Sequence, residues 1–346
     1  MAAPETVQPA IAPAPAVRSR WLRPVLLANL VAQIGIVITG GTVRLTGSGL
    51  GCPSFPECVP GSITPVAHQE QGIHKYIEFG NRTLTSVLSI LAIASLVLVV
   101  QHVRAGRVPR ARRRGILALG AFPLIGVAVQ ALIGGITVLT ALNPTIVAIH
   151  FMVSMVLIAG SAWLLLTVAP RTQAAAIGEL AEQELIRPEL RWLTYGVGAV
   201  LTVVLALGTV VTGSGPHSGD ADEPNRFGFA VRDVAWLHAD SVWLFIGLVV
   251  ALVLALRLTG AGPVALRRSY WLLGITLAQG TIGFVQYLTD VPAILVGFHM
   301  LGASLLVLAM AATTHATIAR PLVPATKEQA GQRLSGAQGA PQDALP

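Results

Sequence analysis

The sequence predicts an all-α polytopic membrane protein with eight transmembrane helices. Of its 346 residues, 53% are hydrophobic and 11% are charged, and the mean hydropathy is +0.70. This composition is typical of membrane-spanning chains, in which about 20 mostly apolar residues suffice for one crossing. Eight stretches meet this requirement: residues 24–43, 76–100, 116–139, 146–168, 192–212, 236–256, 270–288 and 293–314.

The basic residues indicate topology rather than binding of nucleic acid. With a cytoplasmic N-terminus, eighteen of the Lys and Arg residues fall on the cytoplasmic side and five on the outer side. The outer five are Arg44, Lys75, Arg82, Arg226 and Arg232. This asymmetry is the positive-inside pattern, so we expect a multi-pass protein of the cell membrane with both termini in the cytoplasm.

An internal repeat organises the helices. Gln130 is followed twenty positions later by His150, and Gln279 is followed at the same distance by His299. Each stretch reads as the end of one apolar helix, a turn containing a Pro, and the start of a second helix that carries the His. The tetrapeptide TGSG also occurs twice, at 46–49 and 212–215, after helices one and five. Both matches fall at equivalent helices, which predicts two tandem four-helix bundles.

The repeat sets the expected domain boundaries. We expect a disordered tail at 1–17, an N-terminal half at 18–170, a cytoplasmic linker at 171–191, a C-terminal half at 192–319, and a second disordered tail at 320–346. Because four helices return the chain to its starting side, the two halves share one orientation in the membrane.

Three histidines lie inside apolar helices near their outer ends. His150 starts helix four, His238 starts helix six and His299 starts helix eight, while Asn81 occupies the equivalent place in helix two. A lone intramembrane His is most simply a residue satisfied by hydrogen bonds between helices. Two histidines at one depth on helices six and eight, however, suit bis-imidazole ligation of haem across a four-helix bundle.

Helix two carries one acidic residue, Glu78. It lies four positions after His74 and three before Asn81, which puts all three on one helix face. A partly desolvated carboxylate there can exchange protons with a bound substrate during an oxidation. The competing interpretation is an ion pair with Lys75 or Arg82.

The first outer loop contains the only cysteines, Cys52 and Cys58. On the oxidising side of a membrane a structural disulfide is the default expectation, with a redox role as the alternative. The chain has no CxxCH motif for covalent haem attachment.

Other polar residues carry weaker signals. Four arginines at the outer mouths of the two halves are candidate partners for haem propionates, with ordinary interfacial charge as the alternative: Arg44, Arg82, Arg226 and Arg232. The remaining histidines lack a partner at ligand spacing and are expected to be solvated: His68, His102, His217 and His315.

Taken together, these motifs resemble the haem A synthase family of bacteria and mitochondria. The resemblance is carried by GGTVRLTGSGLGCPSFPEC after helix one, by IEFGNR in helix two, and by the single histidines that open helices four, six and eight. It covers about residues 24–315 and leaves only the tails.

The resemblance implies an enzyme that oxidises a methyl group of haem O to a formyl group by successive hydroxylations, giving haem A for terminal cytochrome oxidases. It further implies a haem b cofactor in the C-terminal half, with His238 and His299 as axial ligands, and a substrate site in the N-terminal half at His150, Glu78 and the Asn81 position. Haem O synthase, the assembly pathway of cytochrome oxidase and an electron-transfer protein are the partners it implies. Both haem sites are expected near the outer face.

The sequence departs from the family at Asn81, where many members have a His. Asn is a poor haem ligand, and His74 is the only local substitute, which we keep as a hypothesis. Two other functions stay open: a membrane b-type cytochrome that exchanges electrons with quinone, and a transporter of haem or another small molecule. The incomplete N-terminal ligand pair disfavours the former, and the position of the histidines near one face disfavours the latter.

Overall fold

The computed structural model describes residues 20–169, 186–220 and 224–318. Within these ranges the fold is all helical, with eight long helices, a short 3₁₀ turn at Arg110–Arg112 and no named strand. The helices are α1 (Leu22–Leu45), α2 (His74–Arg104), α3 (Arg113–Leu139), α4 (Pro144–Val168), α5 (Pro188–Ser214), α6 (Val231–Leu258), α7 (Pro263–Leu288) and α8 (Ala293–Ile318). The expected tails and the first part of the expected linker lie outside the described residues.

Seven of these helices are long and apolar enough to cross a membrane. The exception is α7, which has sufficient length but is not among the seven, and which carries Arg267 and Arg268 near its start. Its surface nevertheless exposes large apolar side chains, including Trp271 (67%) and Phe284 (66%). Because such side chains are stable against lipid, we keep α7 as the eighth expected crossing.

Helix starts follow local sequence rules that hydropathy does not detect. Proline occupies the first turn of α4, α5 and α7, where its missing N–H is not needed. Asn143 caps α4 by accepting a hydrogen bond from Thr145 N–H at 3.0 Å. Consequently α5 starts at Pro188 and α7 at Pro263, earlier than the apolar stretches predict.

The helices pack in a repeated pattern. In each run of four, every helix contacts its neighbours in the chain, and the first contacts the fourth. Contacts between the two runs come from α1 and α4 on one side and from α5 and α8 on the other. The buried core therefore runs through both halves, and α4 and α8 lie at its centre.

The short turns after α3 and α7 share an unusual backbone. Ala141 and Leu142 in one turn, and Asp290 and Val291 in the other, all have positive φ, between 48° and 58°. This conformation strains residues other than glycine, Val in particular. Its occurrence at matching places strengthens the predicted repeat, and in both turns the second residue lines the cavity described below.

The end of the bundle that carries the long loops, here called the loop end, is held together across the two halves. Arg44 at the end of α1 donates from Nε to the His217 carbonyl (2.6 Å) and from Nη2 to the Thr212 carbonyl (3.0 Å). Gly49 N–H donates to the Gly219 carbonyl at 2.9 Å. The two TGSG segments thus mark where the halves meet.

At the opposite end, one expectation is wrong. His315 was predicted to be solvated, but it is 1% exposed. Its Nε2 lies 3.2 Å from Thr167 Oγ1, and its ring packs edge-on against Trp163. Because both partners belong to α4, the interface between α4 and α8 excludes water from a residue whose sequence position is near a helix end.

Candidate functional site

A single cavity of about 1170 Å³ lies at the loop-end side of the bundle and is lined by residues from all eight helices. Pockets that enclose one drug-sized ligand are about 300–1,000 Å³, so this cavity exceeds the usual size for one such molecule. The three intramembrane histidines, Asn81 and Glu78 all line it. The structure therefore brings together most of the residues that the sequence singled out.

Four side chains occupy equivalent places in the even-numbered helices. Asn81 and His238 are each the eighth residue of their helix, and His150 and His299 are each the seventh. This common position agrees with the register predicted from the repeat.

Each histidine ring lies against a glycine of the preceding helix. A methyl group built on Gly134 would lie 3.3 Å from Cε1 of His150. The same group built on Gly208 would lie 3.2 Å from Cε1 of His238, and built on Gly283 it would lie 3.1 Å from Cε1 of His299. These distances are at or below ordinary van der Waals contact, so any larger residue would push on the ring. The glycines fix how closely each imidazole approaches its neighbouring helix.

Replacing Gly283 by alanine is expected to displace the His299 ring and reduce the haem content of the purified protein, at a cost of about 1–3 kcal/mol for overpacking. Gly274→Ala is the matched control, because a methyl group there meets nothing within 4 Å, Gly274 does not line the cavity, and the same helix gains an alanine. Absorbance of extracted haem measures the effect. Equal haem content in both variants would contradict the packing argument.

Glutamine side chains bind the backbone carbonyls of two of the histidines, and one ring nitrogen of each histidine has no hydrogen-bond partner among the described residues. Gln130 Nε2 donates to the His150 carbonyl at 3.0 Å, and Gln279 Nε2 donates to the His299 carbonyl at 2.6 Å. Nδ1 of His150, His238 and His299 is buried and makes no hydrogen bond within the described part of the chain. The three rings are partly exposed and line the cavity, and imidazole nitrogens beside a cavity have the donor chemistry of metal ligands.

Glu78 anchors the first outer loop. Its Oε2 accepts a hydrogen bond from Cys52 N–H at 2.7 Å, and its Oε1 accepts from Arg82 Nε at 2.9 Å and Arg82 Nη2 at 2.5 Å. Arg82 also donates to the carbonyls of Cys52, Ser54 and Glu57. The alternative of an ion pair with Arg82 is therefore present in the structure, and the carboxylate still lines the cavity at 5% exposure.

His74 and Lys75 point elsewhere. His74 Nδ1 lies 2.8 Å from Ser48 Oγ, and His74 is not among the residues that line the cavity. Lys75 Nζ donates to the carbonyls of Val66 and Ala67 in the same loop. The structure thus brings Glu78 and Asn81 to the cavity without His74, because the start of α2 faces the loop.

The two halves differ most along α2 and α6. In the cavity wall, Asn81 of α2 takes the place of His238 in α6, and Glu78 and Arg82 take the places of two alanines. The alanines are Ala235 and Ala239, three residues before His238 and one after it. Carboxylate and guanidinium groups are therefore confined to the N-terminal half of this wall.

The four arginines proposed for propionates separate into two classes. Arg44 and Arg82 line the cavity, although several of their N–H groups already bind backbone carbonyls. Arg226 and Arg232 are exposed and do not line it. Cationic side chains at the cavity therefore come from α1 and α2.

Cys52 and Cys58 form a disulfide, as predicted, and both are fully buried. The loop between them places Phe55 and Pro56 in the cavity wall. In the chain-entropy model a ring this small stabilises the fold by roughly 2–3 kcal/mol. Burial of both sulfurs is consistent with the structural interpretation of the pair.

Sequence reasoning missed several polar residues of the cavity wall, Gln286 of α7 among them, and the most buried amide of that wall is Gln33. Gln33 lies in α1 and is 3% exposed. It stands seven residues before Gly40, whereas α5 has Leu201 seven residues before Gly208. This difference needs the register of the structure, because aligning the two TGSG segments pairs Leu201 with Gly35.

Comparison with known proteins gives consistent matches. The family model COX15-CtaA, described as "Cytochrome oxidase assembly protein", matches residues 23–219. A Lysinibacillus sphaericus protein named "Heme A synthase" is 34% identical over 199 residues, which cover 56% of this chain and 58% of the relative. A "Heme A synthase" of Methylobacterium radiotolerans is 28% identical over 344 residues, covering 87% of this chain and 89% of the relative.

The matched regions differ in length. The match spans 58% of the Lysinibacillus relative and 41% of a Geobacillus kaustophilus relative that is also named "Heme A synthase" and is 31% identical. The family model includes Glu78, Asn81 and His150 within its range and ends before His238. The resemblance noted in the sequence is thus confirmed at the level of the family.

Proposed function

Because this chain belongs to the COX15-CtaA family of cytochrome oxidase assembly proteins, we propose that it is a haem A synthase, which oxidises a methyl group of haem O to the formyl group of haem A. The observation that carries the proposal is one cavity lined by three intramembrane histidines with unequal surroundings in the two halves. Relatives named "Heme A synthase" support it, both the one matched over 199 residues and the one matched over 344 residues.

The residues present fit haem. Each imidazole is partly exposed, lies against a glycine of the preceding helix, and borders a cavity large enough for a porphyrin. His238 and His299, from α6 and α8 of the C-terminal half, would hold a resident haem b. When bound, this group supplies the means of electron transfer.

The N-terminal half would hold the substrate. His150 is the expected ligand of the substrate iron, and Asn81 faces it from α2 as a residue that is not a strong ligand. Thr39 Oγ1 donates to Asn81 Oδ1 at 2.8 Å, which fixes the amide in place. His74 is engaged with Ser48, so the substrate would be held by one strong protein ligand and could leave after reaction.

Glu78 is the proposed proton-exchanging group. Conversion of a methyl to a formyl group with oxygen from water, R–CH3 + H2O → R–CHO + 4 e⁻ + 4 H⁺, proceeds in two two-electron steps. The electrons would pass to the proposed electron-transfer partner, and a nearby base must accept the protons. The Glu78 carboxylate borders the cavity while Arg82 and Cys52 N–H hold its orientation. The disulfide-closed loop covers this side of the cavity and limits access of water.

The architecture proposed for this activity is two tandem four-helix bundles, residues 18–170 and 192–319. The pairwise packing of the helices and the matched turns at Leu142 and Val291 support it. We propose that the loop end lies at the outer face of the cell membrane and both termini in the cytoplasm, which agrees with the arginines near the opposite ends of α2, α3 and α6. Haem O synthase, an electron-transfer partner and cytochrome oxidase assembly complete the proposed context.

Expression together with a source of haem O tests the function. We expect extracted haems to contain the formyl product, identified by chromatography and mass, and we expect His150→Ala to abolish it. The matched control is His68→Ala, an exposed loop histidine. Unchanged haem O together with a reversible b-type spectrum would instead favour the membrane cytochrome.

A further inference from the structure

The cavity wall extends one turn further along α1 than along α5. Along α5 the wall is formed by Val204, Leu205, Gly208 and residues beyond them, and Leu201 is not part of it. Along α1 the matching positions also line the cavity, and the wall continues one turn further, to Gln33. The deepest part of the α1 wall therefore ends in an amide.

The burial of this amide without a hydrogen-bond partner destabilises the fold. Gln33 is 3% exposed, and its Nε2 has no hydrogen-bond partner among the described residues. One turn earlier, Asn29 Nδ2 donates to Ser161 Oγ at 3.3 Å, while Asn29 Oδ1 is also buried without a partner among the described residues. A buried polar group without a partner destabilises a fold by about 1–3 kcal/mol, and within a membrane helix such groups mark functional positions.

We propose that Gln33 binds the hydroxyl of the hydroxyethyl-isoprenoid substituent of haem O and so selects the substrate. The inference rests on the proposed function. Haem O differs from haem B by this substituent, which replaces a vinyl group, and an amide offers both a donor and an acceptor to a hydroxyl. Binding of the hydroxyl would satisfy the Gln33 amide that is otherwise unpaired.

The position of Gln33 agrees with this assignment. The hydroxyl lies on the porphyrin edge opposite the propionates, and the cavity's cationic residues, Arg44 and Arg82, lie at the loop end. Gln33 is seven residues before Gly40, which contacts Asn81, so it lies about 10 Å further from the loop end along α1. It therefore faces the end of the cavity to which the hydroxyl-bearing edge would point.

The C-terminal half provides the internal comparison. Seven residues before Gly208, the glycine that contacts His238, the helix carries Leu201, which is buried in the core. A resident haem b has only a vinyl group at that edge and needs no polar partner. Gln130 and Gln279 occupy equivalent places in the two halves, and Gln286, whose Oε1 is also buried without a partner in the described residues, lies near the loop end of α7. Gln33 is therefore the amide that distinguishes the deep end of the α1 wall from the matching part of α5.

Gln33→Leu, which copies Leu201, tests the proposal. Protein purified with its resident haem is titrated with haem O and, separately, with ¹³C-labelled haem B, and bound haem is extracted and quantified. We expect the preference for haem O over haem B to fall about tenfold, because one buried hydrogen bond is lost. Ser95→Ala is the matched control: Ser95 is also buried and unpartnered but lies outside the cavity wall.

Failure of the role proposed for Gln33 and failure of the proposed function give different results. Equal weakening of both haems, or lower thermal stability of the ligand-free variant, would assign Gln33 to packing or to Asn29 and overturn the proposal. An unchanged preference of Gln33→Leu for haem O over haem B would also overturn the proposal about Gln33. The proposed function would still stand in that case if the wild-type protein yields the formyl product. Wild-type protein that shows no preference for haem O and forms no product would instead reject the proposed function itself.

Discussion

Alanine in place of His238 or His299 is expected to remove the proposed resident haem b from the purified protein. The two imidazoles lie on α6 and α8 in the same half, and both line the cavity. Loss of either ring would remove one of the two imidazoles proposed to hold the haem. The reduced-minus-oxidised absorbance spectrum and the quantity of extracted haem measure the effect.

His150→Ala is the matched control for these two variants. It removes an imidazole from the equivalent place in α4 and is expected to leave the resident haem in the protein while abolishing formation of the product. The reverse pattern, with haem lost from His150→Ala and retained in His238→Ala, would exchange the roles of the two halves. Retention of haem in all three variants would show that these histidines are not its ligands.

Substitution of Glu78 is expected to lower turnover strongly without loss of the proposed resident haem. General acid–base catalysis typically contributes about 10²–10⁴-fold, so Glu78→Gln should lower formation of the formyl product at least about 100-fold. Glutamine keeps one acceptor oxygen, which can bind Cys52 N–H or Arg82 but not both, so the order of the loop is measured alongside activity. It cannot exchange protons in the same way as a carboxylate.

The purely structural interpretation of Glu78 makes a different prediction. If the carboxylate serves only to hold Arg82 and the outer loop, Glu78→Gln should keep most of the activity and Glu78→Ala should lose it. Limited proteolysis of the loop reports its order in each variant. Full activity of Glu78→Gln with a protected loop would therefore remove Glu78 from the proposed chemistry and leave it as a loop anchor.

Much of the architecture was predictable because it depends on local patterns. Apolar length predicted the helices, a Gln-to-His spacing predicted the repeat, and two cysteines in one short loop predicted their pairing. The structure confirms the helices and the disulfide and places His150, His238, His299 and Asn81 around one cavity. Of the eight long helices described, α7 alone is not apolar enough to be counted as a membrane span. Arginines and polar residues lower its hydropathy, although it is long enough to span a membrane.

Contacts between distant segments were not predictable. The burial of His315 depends on α4 packing against α8, and the link from Arg44 to the His217 carbonyl joins residues 173 positions apart. The same holds for the turning of His74 towards Ser48 and for the position of Gln33 at the deep end of the cavity. In each case the partner belongs to another segment, and one sequence does not specify which segments will meet.

The sequence by itself determined that this chain is a repeated set of apolar helices with histidines at equivalent levels, because helix length and hydrophobicity are properties of neighbouring residues. Only the tertiary structure decided which polar atoms face the cavity and which form hydrogen bonds with other segments. Glu78 is held by Arg82, His74 is turned away, and Gln33 faces the cavity without a partner. The physical reason is that the packing of helices from both halves, rather than helix periodicity, fixes the surroundings of each buried polar group.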